Sequence, residues 1–346
     1  MSGRKILVTG GTGYIGSHTV VELINAGYHP LIVDDLSNSS HQVINQIEKI
    51  TGVKPDFFNF DLCDSTITAD FVKKHTDIEG VIHFAAFKSV GESVKDPLKY
   101  YRNNLYSLVN LLETFKESKV NFVFSSSCTV YGEPDQLPVT ENAPVKKAES
   151  PYGNTKQISE EILQETTSIN EQLKVIALRY FNPVGAHSSA LIGELPIGVP
   201  QNLIPFITQA AIGKRGDITV FGNDYNTPDG TCIRDYIHVV DLAKAHVSAL
   251  KLMEGSKQTR NFEIYNIGTG QGNTVLEVIH AFESATGVKL KFNIGPRRPG
   301  DVEQIYGDVT KAEKELQWKA ELGLEEMMSS AWAWENYNKQ NPFKEV

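Results

Sequence analysis

The chain has 346 residues, of which 40% are hydrophobic and 22% charged, and its formal net charge is −9. These values are typical of a globular protein of about two domains, and the acidic balance argues against a nucleic-acid partner, which would favour a basic surface. Cys63, Cys128 and Cys232 form no CxxC pair, so we expect no disulfide framework and no metal site, and a cytoplasmic, reducing compartment.

The first half of the chain alternates between strand-like and helix-like segments. The predicted strands are Lys5–Thr9, Pro30–Val33, Asp56–Phe60, Gly80–Phe84, Asn121–Ser125 and Lys174–Tyr180. The predicted helices are Tyr14–Ala26, Val43–Ile50, Ile67–Lys74, Leu98–Glu117 and Asn154–Asn170. This alternation predicts an α/β fold of the Rossmann type, in which helices cover both faces of a doubly wound parallel sheet.

The pattern changes after about Tyr180, where Pro183, Pro196, Pro200 and Pro205 interrupt the chain. Predicted strands there are Ile218–Phe221 and Ile264–Ile267, and predicted helices are Asn202–Ile212, Val239–Leu252, Thr274–Thr286 and Leu324–Tyr337. We expect residues 1–180 to form the Rossmann domain and residues 181–346 to form mainly a smaller mixed α/β substrate domain. A later segment such as 238–267 is expected to return to the first domain.

No apolar run approaches the roughly 20 residues of a membrane span, so we expect no contact with a membrane. The first predicted strand begins almost at Met1, which leaves no room for a signal peptide.

Gly10, Gly13 and Gly16 form a GxxGxxG pattern between the first predicted strand and the first predicted helix. Glycines in this context make a tight turn, let the backbone approach a pyrophosphate and let strand and helix pack closely. The helix N-terminus adds free N–H groups and the positive end of the helix dipole. The pattern predicts a dinucleotide site in residues 1–180. The alternative is a glycine turn that only tightens a corner.

Asp34 ends the second predicted strand, 18 residues after Gly16. A carboxylate at this position can bind the ribose hydroxyls of the cofactor and would repel a 2′-phosphate, so NAD is favoured over NADP. The alternative for Asp34 and its neighbour Asp35 is a turn at the end of a strand.

Tyr152 and Lys156 lie four residues apart in the run SPYGNTK, which places both side chains on one face of a helix. The serines 125–127 end the fifth predicted strand, at the edge of the sheet where ligands bind. A tyrosine that acts as a base near pH 7 needs a pKa about three units below its usual value near 10. We expect the Lys156 ammonium and a positive nicotinamide ring to lower it. By itself, YxxxK more often marks an exposed helix pair.

These segments and several others resemble the UDP-galactose 4-epimerases of the extended short-chain dehydrogenase/reductase family. The resemblance runs from about Lys5 to Tyr337 and rests on the motifs VTGGTGYIGSH, VIHFAAFKSVGES, FSSSCTVYG, SPYGNTK, LRYFNPVGAH, FGNDYNTPDGT, IRDYIHVVDLAKAH and RRPGD. It implies an isomerase of galactose metabolism that keeps NAD bound. Such an enzyme oxidises the sugar 4-hydroxyl of UDP-galactose or UDP-glucose, turns the 4-keto sugar over and returns the hydride to its other face.

The resemblance also implies roles for individual residues. The catalytic residues are Tyr152, Lys156 and Ser127. Besides Tyr152, Lys156 and the glycine turn, the NAD contacts are Tyr14, Ile15, Asp34, Asn38, Asp61, Leu62, Phe84, Lys88 and Tyr180. Besides Ser127 and Tyr152, the UDP-sugar contacts are Asn182, Asn202, Leu203, Phe221, Arg234, Arg298 and Asp301. The family further implies a homodimer built on the helices that contain Leu105, Leu108, Val109, Leu112, Phe115, Ile158, Ile162 and Leu163.

The chain departs from the family pattern at several positions. Ala86 and Phe87 stand where glycine and leucine are common, and Cys128 stands where alanine is usual. Ile305 lies where the family varies residue size at the mouth of the sugar pocket. Its branched side chain leads to the hypothesis that N-acetylated sugars are poor substrates. Comparable turnover of UDP-N-acetylglucosamine and UDP-glucose would contradict it.

Three other functions remain open at this stage. A nucleotide-sugar 4,6-dehydratase would share the fold, NAD and YxxxK, but it usually has an Asp-Glu pair after the serine or threonine that ends the fifth strand. Here Cys128 and Thr129 follow Ser127. A glucuronate epimerase or decarboxylase would need further cationic or hydroxyl contacts to a sugar carboxylate. A non-catalytic NAD sensor on this fold could lose its tyrosine, whereas Tyr152 is present.

Overall fold

The computed structural model describes residues 3–255, 258–298 and 301–343. In chain order, the strands are β1 (Lys5–Thr9), β2 (His29–Asp34), β3 (Asp56–Asn59), β4 (Ile78–His83), β5 (Val120–Ser127), β6 (Leu173–Tyr180), β7 (Asn182–Val184), β8 (Ile218–Phe221), β9 (Ile233–His238), β10 (Phe262–Ile267), β11 (Gly272–Thr274), β12 (Phe292–Gly295) and β13 (Gln304–Ile305).

In chain order, the α-helices are α1 (Tyr14–Asn25), α2 (Gln42–Thr51), α3 (Ser65–Lys74), α4 (Val90–Lys95), α5 (Pro97–Phe115), α6 (Pro151–Ile169), α7 (Leu203–Ala211), α8 (Val239–Glu254), α9 (Val275–Thr286) and α10 (Leu324–Gln340). A 3-10 turn at Cys128–Tyr131 follows β5, and a π-helical turn spans Ala312–Leu316.

Within the described residues, seven parallel strands form the central sheet in the spatial order β10-β6-β5-β4-β1-β2-β3. The order reverses between β1 and β4, and in such sheets ligands bind outside the carboxyl ends of the strands at this point. The predicted Rossmann-type fold class is confirmed. Strand β10 pairs in parallel with β6 although the two are separated by more than 80 residues, and α8 packs on α1.

The core lies on both faces of this sheet because successive side chains of a strand point to opposite sides. Val8 of β1 belongs to a cluster with Ile32 and residues of α1, α2 and α8. Leu7 belongs to a second cluster with Leu31 and residues of α3, α5 and α6. Strands buried on both faces read as continuous apolar runs, which is why the sequence predicts them well.

The remaining strands build smaller sheets beside the carboxyl ends of the central one. Strand β9 pairs with β7, β11 and β13, and β8 pairs in parallel with β12. Helices α7, α9 and α10 pack together around a third cluster that contains Ile207, Phe282 and Met328. The predicted mixed α/β character of this part is confirmed. Strands β7, β9, β11, β12 and β13 and helix α4 were not predicted, because each is short or contains charged residues.

Candidate active site

Close backbone contacts require glycine at two positions of the turn between β1 and α1. Gly10 has φ +68°, and a Cβ added to it would lie 2.9 Å from the backbone nitrogen of Ala85. A Cβ on Gly16 would overlap the carbonyl oxygen of Gly10, so only glycine lets α1 pack against the turn. The N-cap residue of α1 is Gly13, which has no side chain to cap the helix, and the first turn of α1 contains no acidic residue. Its first N–H groups can therefore bind a phosphate.

Asp34 is buried at the end of β2 and is fixed to the glycine turn. Its Oδ2 accepts a hydrogen bond from the Thr12 backbone at 3.1 Å, and its Oδ1 accepts from the Leu36 backbone at 2.9 Å and from Ser39 Oγ at 3.0 Å. The carboxylate that we predicted as the ribose contact therefore borders the turn directly. The glycine turn and Asp34 thus fit the adenosine diphosphate half of NAD.

The other predicted cofactor residues lie along the same edge of the sheet. Asn38 and Asp61 are exposed, whereas the Leu62 side chain is buried in the core, so only its backbone can face a ligand. Phe84 follows β4, and its ring lies 4.7 Å from that of His246. The remaining two predicted contacts of this edge are Tyr14, whose hydroxyl donates to the Gly185 carbonyl, and Ile15, which packs on the core.

Helix α6 begins at Pro151, three residues before the predicted start at Asn154. Ser150 caps it by accepting a hydrogen bond from the Gly153 backbone at 3.1 Å, and Pro151 occupies the first turn, where its missing N–H is harmless. The prediction missed this Ser-Pro start. Because α6 begins there, Tyr152 is helical and shares one face with Lys156.

The carboxyl ends of β5 and β6 meet this face of α6. Lys156 Nζ donates to the Ser125 carbonyl at 2.6 Å and lies 4.9 Å from the centre of the Phe124 ring. The Ser125 hydroxyl hydrogen-bonds the Tyr180 hydroxyl, and Ser127 pairs with Tyr180 in the sheet register. Ser127 Oγ accepts from the Thr129 backbone at 3.2 Å, so its own proton remains available to another acceptor.

The pKa of Tyr152 departs from the sequence-based expectation. Burial raises it to about 12, with an opposing contribution from Ser127 and a further raising contribution from Cys128. We expected the Lys156 ammonium to lower this pKa, but Lys156 is bonded to Ser125 and does not lower it. Burial lowers the pKa of Lys156 to about 8, against the charge of Glu160, which raises it. A phenolate at Tyr152 therefore requires positive charge beyond that of this chain.

A buried ion pair fixes α6 to the sheet, and the sequence analysis missed it. Arg179 of β6 donates two hydrogen bonds from its Nε and Nη2 to Glu160, at 2.9 and 2.5 Å to the nearer oxygens. Ser126 Oγ donates to Glu160 at 2.5 Å. The only sequence signal was the spacing of Glu160, which lies four residues after Lys156 on the same face.

Four predicted substrate residues lie together beyond the sheet edge. Arg298 binds Asp301 with both arms of its guanidinium, at 2.8 and 3.1 Å, and its charge lies 5.7 Å from the centre of the Phe221 ring. Arg234 lies 3.8 Å from the same Asp301 carboxylate. The structure therefore brings together two arginines, a carboxylate and a half-exposed aromatic ring. Such a group can hold a diphosphate, a ribose hydroxyl and a base.

Asn182 begins β7, which pairs with β9, whereas Asn202 and Leu203 mark the start of α7. The Asn202 amide donates to Glu194 Oε1 at 2.9 Å, and Lys88 Nζ donates to the same oxygen at 3.0 Å. Glu194 was not predicted, because residues 88 and 194 are far apart in the sequence. Burial and the charge of Glu194 raise the pKa of Tyr14 well above 10.

Cys128 lies near both groups of predicted site residues, since it contributes to the pKa of Tyr152, and Arg234 contributes to the pKa of Cys128 itself. Burial raises the pKa of its thiol to about 12, and the charge of Arg234 opposes this shift. Ile305 is buried in one cluster with Cys128, Val130 and Phe181. The side chain that we expected at the sugar pocket therefore packs directly behind the end of β5.

In residues 3–255, 258–298 and 301–343, no helix is both long enough and apolar enough to cross a membrane. No three His, Cys, Asp or Glu side chains in these ranges lie close enough to hold a metal ion.

Known proteins resemble this chain over nearly its whole length. Residues 7–331 match the family model described as GDP-mannose 4,6 dehydratase. The UDP-glucose 4-epimerase of Dictyostelium discoideum is 50% identical over 335 residues, which cover 96% of each chain.

Two solved structures are also similar over nearly the whole chain. The UDP-glucose 4-epimerase of Stenotrophomonas maltophila, with bound NAD and formylated UDP-arabinopyranose, is 46% identical with a TM-score of 0.94, covering 98% of this chain and 99% of its own. That of Bifidobacterium longum, in complex with NAD+ and UDP, is 46% identical with a TM-score of 0.92, covering 97% and 99%. The chain belongs to the UDP-glucose 4-epimerase family of extended short-chain dehydrogenases/reductases.

Proposed function

We propose that this protein interconverts UDP-galactose and UDP-glucose at the sugar 4-position by NAD-dependent oxidation and reduction. The observation that carries the proposal is the convergence of Tyr152, Lys156, Tyr180 and the serines 125–127 at the ends of β5 and β6. This group lies at the same sheet edge as the glycine turn. The two structural relatives that contain NAD support the choice of cofactor.

The residues at the sheet edge fit NAD. The uncapped start of α1 at Gly13 fits the pyrophosphate, and Asp34 fits a ribose. Phe84, Lys88, Lys156 and Tyr180 would contact the nicotinamide half, with Asn38, Asp61 and Leu62 toward the adenosine. Bound NAD would accept the hydride from the sugar and return it.

Tyr152 is the group that takes the proton from the sugar 4-hydroxyl. Because its pKa in this chain is about 12 and Lys156 does not lower it, the charge brought by the oxidised cofactor would have to stabilise the phenolate. The Ser127 hydroxyl, whose hydrogen bond to Tyr152 lowers the pKa of the phenol, relays the proton between sugar and phenol. After the 4-keto sugar has turned over, the same groups return the proton.

The substrate side holds the nucleotide. Arg234 and Arg298 pair with the diphosphate through their planar guanidinium groups, Phe221 stacks on the uracil and Asp301 accepts from the ribose. Asn182, Asn202 and Leu203 complete the contacts around sugar and phosphate. In this arrangement Asp301 already holds both arginines, so substrate and carboxylate share them.

A 4,6-dehydratase is the alternative that the family model names, and the residues after Ser127 argue against it. That reaction needs an acid and a base for elimination. Cys128 stands at the first position, and a thiol with a pKa of about 12 remains protonated near neutral pH. Thr129, at the second position, is no stronger a base.

We further propose a cytoplasmic homodimer with two domains, residues 1–180 with a returning segment 238–267 and the rest of 181–346. Of the apolar side chains on α5 and α6, Leu108, Leu112, Phe115 and Leu163 are buried in the chain's own core. Leu105, Val109, Ile158 and Ile162 are only partly buried, and Tyr106 is exposed. This second group supports a helix-to-helix contact with another copy.

The proposal predicts conversion of UDP-galactose by the purified protein without added NAD, measured with a coupled assay and with release of the bound cofactor. Tyr152→Phe removes the base and is expected to lower turnover by about 10²–10⁴-fold while NAD stays bound. Tyr28→Phe, which loses a phenol bonded to Glu254, is the matched control and should stay active. Unchanged turnover of Tyr152→Phe would rule out the assigned base.

A further inference from the structure

We propose that Glu194 is a positioning residue that joins the cofactor side of the site to the nucleotide-sugar side. It does so by holding Lys88 and Asn202 on a single carboxylate oxygen. The inference rests on the proposed function, because it takes Lys88 as a cofactor contact and Asn202 as a substrate contact.

The first observation is the direction of the two hydrogen bonds. Lys88 Nζ and Asn202 Nδ2 both donate to Glu194 Oε1, at 3.0 and 2.9 Å. A carboxylate only accepts, so Asn202 must turn its NH₂ group toward Glu194 and its carbonyl oxygen away. Glu194 thereby fixes which face of this amide is left for a ligand.

The second observation is an N-cap that is not used. Asn202 is the N-cap residue of α7, yet its side chain makes no capping hydrogen bond. An asparagine at this position normally accepts a hydrogen bond from the N–H of the second or third helical residue. Glu194 holds the Asn202 side chain away from that arrangement. Without Glu194, the Asn202 carbonyl would be free to cap α7 and would leave the site.

The third observation is that Glu194 is itself held by the scaffold. Its carbonyl accepts from Trp334 Nε1 at 2.9 Å, and a Cβ added to Gly193 would overlap the Trp334 ring. Ala186 and Gly193 form a β-bridge that closes this loop. The Glu194 side chain is only 12% exposed, whereas that of Lys88 is 46% exposed. The carboxylate is therefore the fixed member of the group, and the lysine and amide are oriented by it.

Charge explains why Glu194 is tolerated there. A carboxylate between two sites for anionic diphosphates would repel both ligands if it were unpaired. The Lys88 ammonium neutralises it. When the cofactor engages Lys88, or the substrate engages Asn202, that group can release the shared Glu194 oxygen. The other group is then the only donor to this oxygen, so occupancy of one site changes the orientation of the contact in the other.

The test uses the NAD-containing protein and UDP as the probe, measured by titration calorimetry, together with steady-state kinetics on UDP-galactose. Glu194→Ala is expected to weaken UDP binding and raise KM about tenfold, as for loss of a hydrogen bond to a charged group, with kcat within about threefold. Glu194→Gln keeps an acceptor oxygen and is expected to restore the affinity to within about threefold. Glu321→Ala, which breaks the exposed pair with Lys244, is the matched control and should change neither value.

A double-mutant cycle decides whether Glu194 acts through Asn202. If it does, Glu194→Ala combined with Asn202→Ala binds UDP no more weakly than Asn202→Ala alone. The inference would be overturned if the losses of UDP affinity in the two single variants multiplied in the double variant. It would also be overturned if Glu194→Ala bound UDP within twofold of the parent affinity. Should Glu194→Ala fail to fold, Glu194→Asp withdraws the carboxylate by one methylene and must show an intermediate loss.

The outcomes also separate this inference from the proposed function. A parent protein that epimerises UDP-galactose while Glu194→Ala remains unchanged overturns only the role of Glu194. A parent that binds UDP without turnover overturns the function, and the UDP titrations still decide on Glu194. A parent that binds no UDP overturns both.

Discussion

At Tyr152, burial raises the pKa of the phenol, whereas the proposed reaction needs this pKa to be low. A partly buried phenol is a weaker acid, here with a pKa of about 12, yet the reaction needs its anion near neutral pH. Lys156 also loses charge on burial, because its pKa falls to about 8. The Tyr152 phenolate therefore needs the charge of the oxidised cofactor, and Lys156 keeps its own charge only below about pH 8.

The charge of Lys156 gives a prediction for the pH dependence of turnover. The amine is protonated below its pKa of about 8 and neutral above it, so kcat/KM for UDP-galactose should fall between about pH 8 and pH 10. Lys156→Arg keeps its charge over this range, and whatever activity remains should lack this fall. A parent profile that stays level up to pH 10 would contradict the assignment.

Residue by residue, the sequence predicts groups that a local motif carries and misses groups that only the fold brings together. Tyr152, Lys156 and the serine run lie in short motifs, and the structure brings them together as expected. The ion pair of Glu160 with Arg179 crosses from a helix to a strand. The contact of Glu194 with Lys88 joins positions 106 residues apart. Spacing along the chain places Glu160 on the same helix face as Lys156, but it contains no signal for the pairing of Glu160 with Arg179 or of Glu194 with Lys88.

At the scale of elements, the turn between β1 and α1 shows how backbone shape defines a site. Gly10 combines a positive φ with a neighbouring backbone that leaves no room for a Cβ. Gly27, after α1, also has a positive φ, of +86°, but nothing lies within 4 Å of an added Cβ. The two glycines thus separate the effect of backbone conformation from that of close approach.

Gly10→Ala should therefore do more damage than Gly27→Ala. Both variants adopt a left-handed conformation that costs about 1–2 kcal/mol in an alanine. Gly10→Ala must also displace the backbone at Ala85, so it should unfold more easily than Gly27→Ala and release NAD during purification. Thermal unfolding and the cofactor content of both variants are the measurements. Equal NAD content in the two would contradict a cofactor site at this turn.

Element boundaries were predicted best where an apolar run is framed by clear end signals. β1 was predicted with its observed bounds, and α1 ends one residue before the predicted end, ahead of Gly27. The start of α6 was predicted too late because the Ser-Pro cap was overlooked. In the second half, strands such as β9 contain Arg234 and Asp235, and the backbone pairing that defines them comes from distant segments.

At the scale of the whole molecule, four histidines buried in the interior set the acid limit of stability. Burial lowers the pKa of His18 and His83 to about 3 and that of His238 and His246 to about 4. In the unfolded chain they titrate near 6.5, so the unfolded state binds protons first as pH falls. The contribution of these histidines to stability is fully present above about pH 6.5. It is lost toward pH 4, by about 1.4 kcal/mol per histidine and pH unit.

Replacing one of these histidines should reduce the loss of stability at low pH. His246→Phe removes a titrating ring that packs on Phe84 and Tyr180. Between pH 6.5 and pH 5.5, the free energy of unfolding of this variant should therefore decrease by about 1 kcal/mol less than that of the parent protein. Denaturant unfolding at both pH values is the measurement. His280→Asn, at an exposed position, is the control, and equal pH dependence of the parent and His246→Phe would contradict the assigned cause.

The proposed homodimer predicts a mass of two chains by light scattering at micromolar concentration. Val109→Glu places a charge among the partly buried residues of α5 and should shift the mass toward one chain. Val145→Glu, at an exposed apolar position of a loop, is the matched control. A parent protein with the mass of a single chain would contradict the proposed assembly.

The pairing of β10 with β6 has a consequence for any attempt to recombine this chain with a relative. A fragment that stops at residue 180 would leave β6 as a bare sheet margin with unsatisfied backbone groups and would strip α8 from α1. Exchanging only the proposed sugar-recognising part therefore takes three splice points, near residues 180, 238 and 267, so that the returning stretch stays with its own sheet. A chimera with a single junction near residue 180 also replaces that stretch, and its β6 must then pair with a β10 from the relative.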